Sequence, residues 1–151
     1  MLVRAATPAD VPAMMELARH SATAAQWQDQ DYARIFSTSS PPRLAIVLEE
    51  EVIQAFLVAS AIGDDWEIEN VAVLPAARRR GLGTRLLGEF LDLARAQGAR
   101  RVLLEVRESN AAARALYEKW AFVAQGRRPG YYRDPEEDAI VYAFEFADRN
   151  G

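Results

Sequence analysis

The feature that most constrains the fold is a strand–helix–strand unit in the middle of the chain. Hydrophobic residues recur at helical spacing from Gly83 to Gln97, and Gly98 follows where a helix commonly ends. Two apolar runs flank this helix, Trp66–Leu74 before it and Arg101–Val106 after it. A helix that crosses between two strands of one sheet makes those strands parallel. The sequence therefore predicts an α/β fold built around one parallel strand pair.

The segments on either side of this unit predict further strands and helices. Before it lie a strand at Leu2–Ala6, a helix from Pro8 to Arg19, a helical segment at Ala24–Phe36, and a hairpin of strands Leu44–Leu48 and Val52–Ile62. After it lie a helix at Ala111–Trp120 capped by Asn110, and strands at Phe122–Gly126 and Ala139–Phe146 with Tyr131 and Tyr132 in a loop between them. The chain shows no repeat and no linker, so we expect residues 1–151 to form a single domain with a mixed sheet flanked by helices.

Composition narrows the chemistry open to the chain. Its 151 residues include no cysteine and a single histidine, His20. A thiol nucleophile and a cysteine zinc site are thereby excluded, and we expect no metal site on one histidine. The net charge of −4 does not favour nucleic-acid binding. The N-terminal segment lacks the apolar core of a signal peptide and no apolar run could span a bilayer, so we expect a cytoplasmic protein without a membrane partner.

The strongest single motif lies between the strand Trp66–Leu74 and the helix that follows it. It reads Arg78-Arg79-Arg80-Gly81-Leu82-Gly83-Thr84. Glycines let the backbone approach a ligand closely, and the N–H groups and dipole at a helix start favour an anion. The third glycine of the dinucleotide fingerprint and the Gly-Lys-Ser/Thr of the P-loop are both absent. The motif predicts a pyrophosphate site on residues 79–84; the alternative is an ordinary strand–helix turn with a solvated arginine run.

These motifs resemble those of the GNAT superfamily of acetyl-CoA-dependent N-acetyltransferases. Val71-Ala72-Val73-Leu74-Pro75, followed by Arg78-x-x-Gly81-x-Gly83, is similar to the acetyl-CoA-binding signature of that family. Leu104–Ala113 and then Ala115-Leu116-Tyr117-Glu118 closely resemble the RimI-type members, which acetylate the N-terminal alanine of a ribosomal protein. The resemblance implies the GNAT fold, with parallel strands at 66–74 and 101–106 that splay apart, and acetyl-CoA as cosubstrate. It also implies contacts to acetyl-CoA from Val71, Ala72, Val73 and Asn110, with the oxyanion held by N–H groups of residues 71–73.

Two positions depart from the RimI-type pattern. Ala121 stands where the family usually has glycine, which costs about 1 kcal/mol if the backbone needs a positive φ there. The aromatic-proline segment between the first two helices is replaced by Ala25-Gln26-Trp27-Gln28. That region should shape the acceptor site. This second departure therefore bears on which acceptor is used, and not on the acetyl-transfer reaction.

Acetyl transfer from a thioester to an amine needs a base for the amine, and the sequence offers three carboxylates. Glu67 and Glu69 lie two apart on one strand, hence on one face. Glu105 lies in an otherwise apolar strand, where a carboxylate without a partner is costly. By the resemblance, Glu105 occupies the position of the general base in the RimI-type enzymes. Glu69 occupies the position that other GNAT members use for this base. We therefore predict Glu105 as the base and Glu69 as the second candidate; a paired, structural Glu105 is the alternative.

The leaving thiolate benefits from a proton donor, for which Tyr117 is the candidate. Asn110 and Tyr117 are seven residues apart on one helix, about two turns, so they share a face. Both match RimI-type positions, and the resemblance therefore favours Tyr117 as the acid over a tyrosine of the hydrophobic core.

Three functions follow from these residues: acetylation of a protein N-terminal alanine, acetylation of a small amine, or acyl-CoA binding without catalysis. The pairing of Glu105 with Tyr117 argues against the third, since a binding protein needs neither. At pH 7, neutralising a peptide α-amine of pKa ~8 costs about 1 kcal/mol, against about 4.6 kcal/mol for lysine. A single carboxylate suits the α-amine better, so we expect a protein N-terminus as acceptor, bound by a monomer or weak dimer.

Overall fold

A seven-stranded sheet forms the centre of the computed structural model, which describes residues 1–21, 24–38, 41–78 and 80–147. The strands are β1 (Leu2–Ala5), β2 (Arg43–Glu50), β3 (Val52–Ile62), β4 (Asp65–Val73), β5 (Arg101–Arg107), β6 (Val123–Tyr132) and β7 (Glu137–Glu145). A 3-10 turn at Pro8–Asp10 leads into α1 (Val11–Arg19), and the other helices are α2 (Asp29–Ile35), α3 (Pro75–Arg78), α4 (Leu82–Ala96) and α5 (Ala111–Lys119). The strand order is β1-β2-β3-β4-β5-β7-β6, so the expected mixed sheet flanked by helices is confirmed.

The parallel pair β4 and β5 opens after a short stretch of pairing. It is paired from Asp65 opposite Arg101 to Glu67 opposite Leu103, and no pairing continues beyond that point. The partner strand β3 stays paired with β4 up to Val73, with a bulge that leaves Glu69 as the extra residue. The splay that the resemblance implied is thus present, and it creates an opening at the centre of the sheet.

The sheet is covered on both faces, which explains why the middle parts of β2 and β3 are buried without alternation. Alternate residues of β3 enter different clusters: Leu57 packs with the residues of α4 and α5, whereas Phe56 packs with those of α1 and α2. The amphipathic helix α4 buries one stripe of its surface, formed by Leu86, Leu87, Phe90, Leu91 and Ala94. Within the described residues, no helix has the length and apolar character needed to cross a membrane.

Two of the sequence-based elements are wrong in extent. The helix predicted from Ala24 begins only at Asp29, because Gln28 forms a capping box with Asp31 and starts the helix there. Residues 24–28 instead form an irregular loop, named here the acceptor loop. Strand β6 continues to Tyr132, past the predicted end at Gly126, so the two tyrosines lie on a strand rather than in a loop.

Candidate active site at the opening between two strands

A cavity of about 350 Å³ lies where β4 and β5 separate. Its walls come from β4, β5, the start and middle of α5, the end of β6 and the acceptor loop; they include Ala24, Ala25, Gln26, Glu69, Asn70, Val71, Glu105, Arg107, Asn110, Tyr117 and Tyr132. The structure therefore brings together Val71, Glu105, Asn110 and Tyr117, which the sequence indicated separately. A larger depression of about 990 Å³ lies at the opposite end of β4 and β5, and its lining contains none of the predicted site residues.

Glu105 is a partnered carboxylate at the wall of this cavity. Its side chain is 13% exposed, and its Oε1 lies 3.0 Å from Nε of Arg128 on the edge strand β6. Tyr131 is also close: burial, then the charge of Glu105 and a hydrogen bond to it, raise the pKa of Tyr131. The ion pair offsets the free-energy cost of burying the charge of Glu105. Glu105 remains on the cavity wall, so a structural pair and a catalytic role are compatible.

The other two carboxylates have different surroundings. Glu69, the bulged residue, accepts hydrogen bonds from Nε of Arg43 at 2.8 Å and from a terminal guanidinium nitrogen at 3.4 Å. Burial, followed by the charges of Glu105 and Glu69, raises the pKa of Glu67. Glu67 does not line the cavity and has no ion pair with any residue that the structure describes. Glu69 and Glu105 both line the cavity and each is paired with an arginine, Arg43 on β2 and Arg128 on β6 respectively, so the choice of Glu105 as the base stays a prediction.

Tyr117 is buried in α5 with one edge on the cavity. It is 4% exposed, and its ring packs edge-on against Phe122 at a centroid distance of 5.6 Å. Burial, together with the neighbouring Tyr132, raises the pKa of Tyr117. Its hydroxyl makes no hydrogen bond to any residue in the described part of the chain. A protonated tyrosine on the cavity wall, with no hydrogen bond from its hydroxyl to the described residues, has the properties of a proton donor.

Asn110 has the place that the sequence predicted. Its Oδ1 accepts a hydrogen bond from the N–H of Ala113 at 3.1 Å and so caps α5, while the residue also lines the cavity. The cap fixes the start of the helix that carries Tyr117.

Tyr132 and Arg107 belong to the cavity although sequence analysis gave neither a role. The guanidinium of Arg107 lies 4.5 Å from the ring centroid of Tyr132 and donates to the carbonyl oxygens of Arg133 and Pro135. Burial raises the pKa of Tyr132 to about 12. No spacing pattern could have shown this contact, because it joins β5 to the β6–β7 turn.

The open edge of β4 presents fewer N–H donors than predicted. The N–H of Leu74 bonds to the carbonyl of Gln54 on β3 at 3.0 Å. Because N–H directions alternate along a strand, Ala72 also points its N–H at β3, whereas Val71 and Val73 point theirs into the opening. The N–H of Val73 donates to Oγ of Ser21 at 3.0 Å. The prediction that Ala72 supplies a donor to the opening is therefore wrong.

The start of α4 lies directly after a glycine in the left-handed conformation. Gly81 is the N-cap with φ of 72°, and no side chain caps the first turn among the described residues. The N–H groups of Leu82, Gly83 and Thr84 belong to this first turn, where helices leave them without intrahelical partners. Arrangements of this kind bind anions.

Two details of the pyrophosphate prediction need correction, and a third residue named in it cannot be placed. Arg80 donates its N–H to Ala77 at 3.1 Å and pairs its guanidinium with Glu50 at 2.9 Å, so neither group is directed to a ligand. A Cβ on Gly83 would lie 3.1 Å from a methyl carbon of Val73, so this glycine serves the packing of α4 on β4 rather than the approach of a ligand. Arg79 lies outside the described residues.

Comparison with known proteins decides the family. The family model described as acetyltransferase (GNAT) family matches residues 11–122. The chain belongs to the GNAT acetyltransferase family. A relative from Salmonella typhimurium, the ribosomal protein bS18-alanine N-acetyltransferase, is 34% identical over 137 residues, which are 89% of this chain and 90% of the relative.

Solved structures agree with this GNAT assignment. The ribosomal-protein-S18-alanine N-acetyltransferase of Escherichia coli superposes with a TM-score of 0.84 at 30% identity, covering 99% of this chain and 97% of the other. Ard1 from Thermoplasma volcanium gives a TM-score of 0.80 at 26% identity, with 97% and 98% covered. This protein is an acetyl-CoA-dependent N-acetyltransferase. Its predicted resemblance to the RimI-type enzymes is confirmed.

Proposed function

We propose that this enzyme acetylates the α-amine of an N-terminal alanine on a ribosomal protein. The proposal is supported by the reaction named for its relatives from Salmonella and Escherichia coli. The observation that carries it is structural: Glu105 and Tyr117 line one cavity at the point where β4 and β5 separate. A base and an acid on one cavity are what amine acetylation requires, and pure acyl-CoA binding requires neither.

The acetyl-CoA site of this proposal combines two parts of the structure. The uncapped first turn of α4, at residues 82–84, would hold the pyrophosphate by its N–H groups. The pantetheine arm would follow the open edge of β4, beside the N–H groups of Val71 and Val73, and end near Asn110. The N–H of Val73 would then exchange its bond to Ser21 for one to the ligand.

Acetyl-CoA supplies the acetyl group as a thioester, and the protein manages two protons. Glu105 accepts a proton from the acceptor ammonium, which frees the nitrogen lone pair for attack. Tyr117 donates its hydroxyl proton to the sulfur as the carbon–sulfur bond breaks. The nitrogen, which still carries two protons after attack, loses one of them to solvent as it becomes the amide, and CoA leaves as a thiol. Glu105 then releases its proton to solvent and Tyr117 regains one, so one proton is released overall.

A panel of acceptors tests this proposal. We expect rapid acetylation of a basic peptide that begins with alanine, located at the α-amine by tandem mass spectrometry. The matched control has the same sequence with an N-methylated alanine, and internal lysines serve as a second control. Polyamines, free amino acids and aminoglycosides form the small-amine arm. Turnover confined to that arm would refute the proposed acceptor while leaving acetyl transfer intact.

A further inference from the structure

A side-chain amide on β4 binds the acceptor loop through two hydrogen bonds of the kind that a neighbouring strand would make. Asn70 is 2% exposed, and its Oδ1 accepts a hydrogen bond from the N–H of Ala25 at 2.9 Å. The Nδ2 of the same amide donates to the carbonyl of Ala25 at 3.3 Å. One side-chain amide therefore satisfies both backbone groups of a residue 45 positions away, as a neighbouring strand would.

The position of Asn70 follows from the bulge in β4. Ile68 is opposite Ala59 and Asn70 is opposite Val58, so Glu69 is the extra residue between two ladder pairs. Without that residue, position 69 would occupy the place that Asn70 now has, because strand side chains alternate between faces. The bulge thus directs an amide at the loop, three residues beyond Glu67, where the pairing of β4 with β5 ends.

Two further contacts hold the loop and the turn that precedes it. Oγ of Ser21 accepts the N–H of Val73 at 3.0 Å, and Nε2 of Gln26 donates to the carbonyl of Ala18 in α1 at 3.0 Å. Asn70 differs from both because its two bonds act on the backbone of a loop residue, Ala25, that lines the same cavity as Glu105 and Tyr117. Removing this amide would take away the two hydrogen bonds that join the backbone of Ala25 to β4 at the cavity.

We infer that Asn70 is a positioning residue that sets how the acceptor binds, by fixing the acceptor loop at Ala25 relative to Glu105 and Tyr117. The inference rests on the proposed function, since it assigns the loop to the acceptor amine. Asn70 is not a catalytic residue, because it acts through the backbone of Ala25. Its removal should weaken acceptor binding and leave the acetyl-CoA site at α4 unaffected.

Asn70→Leu tests the inference, because leucine has the same branching at Cγ and no hydrogen-bonding group. We expect the KM for the alanine-start peptide to rise about tenfold, with kcat within about threefold of the parent and an unchanged Kd for acetyl-CoA. Hydrogen–deuterium exchange should show faster exchange of the Ala25 amide. Asn70→Asp keeps the acceptor oxygen and loses the donor, so it should give an intermediate KM and retain protection of that amide.

Ser60→Ala is the matched control, since Ser60 is equally buried, at 2% exposed, and lies on β3 away from the loop. It should leave the KM for the peptide and the exchange of Ala25 unchanged. An unchanged peptide KM in both Asn70 variants, or a parallel loss of acetyl-CoA affinity, would overturn the inference. If the parent acetylates no peptide, the proposed function fails instead, and the exchange of the Ala25 amide still reports whether Asn70 holds the loop.

Discussion

At the residue scale, burial gives Tyr117 the protonation state that an acid needs. Its pKa is raised by burial, so its proton is lost only at a pH above the ordinary value of ~10 for tyrosine. The hydroxyl therefore stays protonated across the range in which a peptide α-amine changes from ammonium to amine. Because the active form is the protonated one and its pKa is raised, titration of Tyr117 should cause no loss of rate below pH 10.

Tyr117→Phe removes this proton donor and keeps the ring that packs on Phe122. We expect kcat to fall about 100-fold with KM and acetyl-CoA affinity unchanged, because the hydroxyl acts only in the chemical step. The parent should show no alkaline decrease in kcat up to pH 10. An unchanged kcat together with a lower melting temperature would mean that Tyr117 is only a core residue.

The choice of base is tested by Glu105→Gln, Glu69→Gln and Glu67→Gln, compared as pH–rate profiles. Glu105→Gln should lower kcat/KM about 100-fold at pH 7 and recover partly above pH 8, where the α-amine loses its proton without help. Glu69→Gln should act mainly on stability, because it removes the charge that pairs with Arg43 in a partly buried salt bridge. If Glu105→Gln has the same pH–rate profile as the parent, and Glu69→Gln or Glu67→Gln shows the loss of kcat/KM at pH 7, the base lies on β4 instead.

At the scale of elements, the start of α4 can be tested by a pair of variants that differ in one charge. Gly81 has φ of 72°, a conformation that Asn and Asp tolerate, and a Cβ there meets no atom within 4 Å. Gly81→Asp should weaken acetyl-CoA binding at least tenfold relative to Gly81→Asn, because its carboxylate repels the pyrophosphate. An N-cap aspartate does not destabilise the helix, so thermal melts of the two should agree.

Isothermal titration calorimetry with acetyl-CoA measures this difference. Equal affinities in Gly81→Asp and Gly81→Asn would show that the pyrophosphate binds elsewhere. Gly83→Asp is a poorer test, because its side chain would meet Val73 and disturb the packing of α4 on β4.

The turn between α5 and β6 carries a residue that its backbone does not favour. Ala121 has φ of 65°, its N–H bonds to the carbonyl of Glu118, and the N–H of Phe122 bonds to that of Tyr117. This is a Schellman motif with alanine at the position that prefers glycine. Alanine in place of the family's usual glycine therefore strains the backbone at position 121, because the backbone there does have a positive φ.

Ala121→Gly should stabilise the protein by about 1 kcal/mol, equivalent to roughly 2–4 °C in Tm, because glycine relieves the left-handed strain. Differential scanning calorimetry measures the shift, and kcat should be unchanged since the side chain of Ala121 points to solvent. A lower Tm would show that the entropy of the unfolded glycine outweighs the strain.

At the scale of the whole molecule, composition and site chemistry together predict resistance to two classes of inhibitor. The chain has no cysteine, and the described residues contain no group of three or more His, Asp or Glu side chains placed to hold a metal ion. Iodoacetamide, removed before assay, and EDTA should each leave the rate unchanged. A rate that EDTA abolishes and added metal restores would contradict the two-residue mechanism. The single-domain organisation and the individual site roles stay predictions.

The sequence by itself determined the elements whose signal is local. The apolar stripe of α4, the strands before and after it, and the cap at Asn110 are visible at short spacing because a periodic pattern decides which face is buried. The same stretch carries the glycine and tyrosine positions that indicate acetyl transfer. The start of α2 was misjudged because the capping box at Gln28 competes with a helical pattern that begins earlier.

Only the tertiary structure decided which polar groups meet. Glu69 is held by Arg43, Glu105 by Arg128, and Asn70 by the backbone of Ala25, across separations of 26 residues for the first and 45 for the last. A charged or amide side chain in a strand gives the same local pattern whichever partner it finds. The partner depends on sheet order, on the bulge at Glu69 and on where β4 leaves β5, and these are set by the packing of elements distant in the chain.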